Sequence, residues 1–168
     1  MHRTTTKLFL CFLIIALSGC SGWYLRGTRT SAVAIKSAYL DSSTAPRLRI
    51  AVAHELALSG VSMGSKTGSD TVIELSNESF DRRVLSVDPD NGKVREVELG
   101  LQVAFSVRDK DGKIIVAPEK LSWVQDYIFD ENSLLGTIEQ AATIERELAE
   151  DAAQTILLRL EAVELRSQ

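Results

Sequence analysis

The chain has 168 residues, 45% hydrophobic and 25% charged, with a mean hydropathy of +0.02, which is enough for one ordinary globular domain and unlike collagen, coiled-coil or disordered compositions. A net charge of −4 and an isoelectric point near 5.3 argue against a general nucleic-acid binder, which needs a basic face for phosphates. Only two histidines and two cysteines are present, and that scarcity closes off most metal and nucleophile chemistry.

The segment from Met1 to Lys7 carries Arg3 and Lys7 and no acid, and Leu8 to Leu17 is an uncharged apolar run. Such a run is too short to span a bilayer and suits the apolar region of a signal peptide. Leu17-Ser18-Gly19-Cys20 follows directly, and it resembles the lipobox of bacterial lipoproteins. In that class the cysteine thiol receives a diacylglycerol and the peptide is cut before it. The expected organisation is therefore a signal peptide over 1–19, a lipidated tether over 20–31 and a single domain over 32–165. The alternative is a plain signal peptide in which Cys20 is incidental. Ser21 rather than Asp after the cysteine favours the outer membrane under the enterobacterial sorting rule of that class. Cys11 leaves with the signal peptide and Cys20 is a thioether, so no disulfide is expected. Without Arg3 and Lys7 the mature chain is left with 17 basic against 23 acidic residues, a net −6.

Val33 to Leu40 predicts a short strand, ended by the turn and helix-cap cluster Asp41-Ser42-Ser43-Thr44. Leu48, Val52 and Leu56 repeat at i+4 between Pro46 and Ser59, with Gly60 where a terminating glycine belongs, which predicts a helix. His54 within it reads as a surface residue rather than a ligand. Thr71 to Val87 reads as a long strand bent near Asn77 to Asp81. Asp88-Pro89-Asp90-Asn91-Gly92 is a hairpin turn. Val97, Leu99, Leu101, Val103, Phe105 and Val107 alternate with polar or small residues, giving a strand with one dry face. Asp109-Lys110-Asp111-Gly112 is a second turn, and Ile114 to Phe129 the next strand, with Pro118 marking an edge or a bulge. Thr137 to Gln140 fits a capping box, and the stripe Ala141, Ile144, Leu148, Ala152, Ile156, Leu160 and Val163 predicts a closing helix of about 25 residues. The expected fold is α+β, with two helices packed on one face of a mixed four-stranded sheet in the order strand–helix–strand–strand–strand–helix.

No phosphate loop or nucleophile elbow occurs, and one mature histidine without a free thiol leaves no metal site unless carboxylates build it alone. Asp88/Asp90 and Asp109/Asp111 are paired carboxylates, but in hairpin turns Asp is expected for backbone capping. No catalytic residue, cofactor or enzyme activity is expected.

The map as a whole resembles the LPS-assembly lipoprotein family LptE. The residues that carry the likeness are Gly22-Trp23-Tyr24-Leu25-Arg26-Gly27 after the lipobox, then Val84 to Asp88 through Asn91-Gly92-Lys93 to Glu98-Leu99. Val107-Arg108-Asp109, Asp126 to Asp130 and the helix end Ile156 to Leu160 follow in order. The resemblance implies a non-enzymatic outer-membrane lipoprotein that plugs the large β-barrel LptD, assists its assembly and binds lipopolysaccharide. It also implies basic ligand contacts near a hairpin tip and in the loop before the last helix. Here that tip carries acids and the loop from Asn132 to Thr137 carries no cation, so the expected contacts move to Lys93 and Arg95. The alternative for those two is solvated strand-end residues. For the whole protein it is a periplasm-facing outer-membrane lipoprotein binding another envelope protein or polymer.

Overall fold

A computed structural model describes residues 35–164. The expected signal peptide (1–19), the tether (20–31) with Cys20, and the start of the first strand at Val33 lie outside the described residues.

β1 (Ser37–Asp41) leads into α1 (Pro46–Leu58), which is followed by a two-residue strand β2 (Ser62–Met63). β3 (Thr71–Val87), β4 (Val94–Asp109) and β5 (Ile114–Ile128) then form a meander. A 3-10 turn at Glu131–Ser133 precedes α2 (Leu134–Glu164). The sheet order is β2-β1-β3-β4-β5, with β1 parallel to both neighbours and the meander antiparallel. The architecture is the expected α+β arrangement of two helices and a mixed sheet, with five strands instead of four. The extra strand β2 pairs through Ser37–Ser62 and Ala38–Met63 and has both side chains exposed. A strand with no dry face leaves no alternation in the sequence to read.

The core sits where the period-two face of β4 meets the two helical stripes. Val97, Leu99, Leu101, Val103, Phe105 and Val107 are all buried, together with Leu48, Val52 and Leu56 of α1 and Ile144, Leu148, Ile156 and Leu160 of α2. At about 25 cal/mol per Å² of apolar surface removed from water, this shared layer is the main stabilising term.

The bend expected in β3 is real and has a purpose. The pairing jumps from Ser76–Ala104 to Ser79–Gln102, and Asn77 sits at φ +56°, a conformation that Asn tolerates better than most residues. The bulge aims the Glu78 carboxylate at the start of α1, where it accepts from the Leu48 N–H at 2.9 Å and the Arg47 N–H at 3.4 Å. Ala45 at the N-cap has no side chain that could do this, and an acid at a helix N-terminus is favoured by the helix dipole. The cap cluster expected at Asp41 to Thr44 therefore works differently. Thr44 accepts from Asn77 N–H through its hydroxyl and from Glu78 N–H through its carbonyl. At the other end, Gly60 (φ +80°) closes a Schellman turn: Gly60 N–H reaches Ala57 C=O, Val61 N–H reaches Leu56 C=O, and Val61 is buried.

α2 starts one turn earlier than the capping-box reading places it and runs for 31 residues, about 46 Å at 1.5 Å per residue. The Asp130 side chain caps the preceding 3-10 turn by accepting from Asn132 N–H, so the helix is already nucleated when it reaches Thr137. Thr137 is buried inside the helix and donates its hydroxyl to the Asp130 carbonyl at 3.1 Å. Pro118 lies on the edge strand β5, and there the pairing with β4 slips between Phe105–Glu119 and Val107–Val116. Both readings of that proline, edge and bulge, hold.

Candidate functional site

The β3–β4 turn is built by its own acids. Asp88 Oδ1 accepts from Asp90 N–H and Asn91 Oδ1 from Lys93 N–H, each at 2.9 Å, while Gly92 takes φ +72°. Asp109 does the same work in the β4–β5 turn, accepting from Asp111 and Lys113 N–H. These paired carboxylates are turn-forming groups, as the sequence suggests.

Lys93 and Arg95 leave this turn at the end of the sheet where the 3-10 turn also lies. Lys93 Nζ is paired with Glu131, and Arg95 sits 3.5 Å from Asp88 Oδ2. The structure thus brings the two expected cations to one tip but gives each a carboxylate partner. Glu131 comes from the pre-helix loop, 38 residues away in sequence, so nothing local announces its role.

The surroundings of the tip are apolar. Val84 and Val87 of β3, Ile128 of β5, and Leu134, Leu135 and Ile138 of α2 are all exposed. Between β3 and the first turns of α2 runs a groove of about 540 Å³, floored by Leu99 and Tyr127 and walled by Phe80, Phe129, Leu134 and Ile138. The Arg82 guanidinium lies 5.3 Å from the centre of the Phe129 ring. Arg47 lies 5.0 Å from that of Phe80 and is paired with Glu145. Sequence reasoning passes over Arg82 because it stands on the core parity of β3, opposite Leu99, where a cation breaks the pattern. That break was the available signal.

The opposite face of the sheet carries no helix. It is largely polar, with Arg83 paired to Glu98 at 2.9 Å and Arg108 beside Glu74 at 3.3 Å, while Ile114, Val124 and Ile128 of β5 stand exposed on the same face. Ser106 donates to Glu74 at 2.7 Å, and this hydrogen bond with the Arg108 charge holds the Glu74 carboxyl below its usual range. Asp81 lies over Gly100, where an added Cβ would meet its carboxylate at 2.6 Å. His54 is exposed on α1. Among the described residues no cluster of metal-ligating side chains occurs, and no helix is long and apolar enough to cross a membrane.

Solved structures with this fold include a minor lipoprotein from Acinetobacter baumannii at 25% identity, covering 76% of this chain and 92% of that one (TM-score 0.61). The rare lipoprotein B from Shewanella oneidensis is also 25% identical, covering 77% and 97% (TM-score 0.64). A lipoprotein B from Nitrosomonas europaea, 19% identical over 81% and 88%, shares the fold (TM-score 0.65). A comparison with curated proteins gives no match. The family model for lipopolysaccharide assembly, LptE, matches residues 30–160. A mixed sheet carrying two helices, lipoprotein neighbours and a family match over nearly all of the described domain lead to one conclusion: the chain belongs to the non-enzymatic LptE family of lipopolysaccharide-assembly lipoproteins.

Proposed function

We propose that this lipoprotein is exported by its 1–19 signal peptide and anchored in the outer membrane through acylated Cys20. Residues 20–31 tether a domain over 32–165, which plugs the β-barrel LptD, assists its assembly and contributes to insertion of lipopolysaccharide. Several acyl chains give firm anchoring, because each buried CH₂ contributes about 0.8 kcal/mol. The observation that carries the reading is the family match over residues 30–160. The uncovered, largely polar face of the sheet adds a physical reason, since the lumen of an outer-membrane barrel is polar and a plug needs a rigid wall of matching character. Lys93 and Arg95 are the proposed lipopolysaccharide contacts, exchanging Glu131 and Asp88 for lipid phosphates.

Extraction of the membrane in mild detergent, followed by identification of what co-purifies, tests the proposal. A stoichiometric large β-barrel is the expected result. Recovery of a peptidoglycan-binding or enzymatic partner in its place would favour a different envelope role.

A further inference from the structure

The apolar stripe of α2 does not stop where the core stops. Leu134, Ile138 and Ala141 precede Ile144 and Leu148 at helical spacing, so they lie on the same face. Yet Leu134 and Ile138 are 56% and 57% exposed. On the facing wall, Phe80 and Val84 of β3 pair with the buried Leu101 and Val97, which places them on the core side of the sheet. Val84 is nevertheless exposed. Two in-phase core faces thus look at each other across a groove of about 540 Å³ with none of the described residues packed between them, and its volume lies within the range of small-molecule sites.

The charge in the groove narrows the choice of occupant. Glu145 is paired with Arg47, and the Asp81 carboxylate lies against Gly100. Arg82 forms no ion pair among the described residues and is held over Phe129 at the wall. A partner protein's apolar helix would leave that guanidinium against hydrocarbon. An acyl chain joined to a phosphate satisfies both halves, because guanidinium is well matched to phosphate oxygens.

We propose that this groove holds an acyl chain of a phosphorylated glycolipid of the lipopolysaccharide class, with a phosphate set against Arg82. The proposal rests on the reading that this protein handles lipopolysaccharide, and it adds a lipid-binding trough apart from Lys93 and Arg95.

Photocrosslinking of the full acylated chain in its native membrane tests it. Benzoylphenylalanine replaces Ile138 in the groove, Asp90 at the turn beside Lys93, or the exposed Leu58 at the end of α1. The expected result is an adduct at Ile138 that reacts with antibody to lipopolysaccharide, with none at Leu58. Arg82→Gln should lower the Ile138 adduct several-fold, whereas Arg49→Gln, at an exposed arginine on α1, should leave it unchanged. An Ile138 adduct with a protein or a phospholipid would overturn the proposal. Lipopolysaccharide adducts at Asp90 without any at Ile138 would overturn the groove while keeping the reading beneath it. Adducts at neither position would overturn both.

Discussion

Lys93 and Arg95 each already face a carboxylate, and that changes how they should be tested. Reversing their charge would set like charges against Glu131 and Asp88, so alanine is the cleaner substitution. Exposed pairs of this kind contribute about 0–1 kcal/mol each, and their attraction is screened by salt. Lys93→Ala with Arg95→Ala should therefore leave the thermal midpoint nearly unchanged. It should weaken binding of labelled lipopolysaccharide most at low ionic strength, and unchanged affinity in that titration would remove both residues from the site. Glu74 gives a pH prediction. Its folded pKa is depressed, first by the Ser106 hydrogen bond and then by Arg108, so its contribution is present above the unfolded value and lost as pH falls through the folded one. Urea melts should show wild type more stable than Glu74→Gln near pH 6, with the gap closing below about pH 4. A gap that widens on acidification would contradict the assignment.

The elements were legible wherever one face of a segment is dry. β4 shows this best, because its odd-numbered residues from Val97 to Val107 are apolar and all of them are buried. Leu101→Ala should cost about 2–5 kcal/mol, whereas Gln102→Ala, exposed on the other parity, should stay within about ±0.5 kcal/mol in a urea melt. Similar costs for both would mean that the uncovered face of the sheet is also packed. The element ends were less legible. Thr137 has the right chemistry for a cap, but Asp130 and the 3-10 turn start α2 earlier, and a hydroxyl buried mid-helix finds the Asp130 carbonyl instead. The cap of α1 comes from Glu78, about 30 residues beyond the helix start, through a bulge that no local pattern ties to that helix.

At the scale of the molecule, the anchor and the tip answer to different physics. The proposed attachment rests on Leu17-Ser18-Gly19-Cys20 as a linear signal, read in the lipobox class before the domain folds. The intact mass of the membrane-extracted protein should equal residues 20–168 plus acyl groups, and an unmodified Cys20 or another start would refute the anchor. The candidate site, by contrast, exists only after folding. It gathers Phe80 and Arg82 from β3, Tyr127 from β5, and Leu134 and Ile138 from α2 around one groove.

Period and turn chemistry are local properties, so the sequence by itself determined the long strands, the two helices, the hairpin acids and the core face of β4. The lipobox and the order of short motifs along the chain likewise pointed to the family, because they too are linear. Tertiary structure alone decided the fifth strand, whose two exposed residues carry no hydrophobic pattern and pair only because β1 lies beside them. It also decided that Lys93 and Arg95 meet Glu131 and Asp88, and that the first turns of α2 overrun the packed core. Burial depends on what stands opposite a residue, and an apolar stripe reads the same in sequence whether a neighbour covers it or a groove lies open before it.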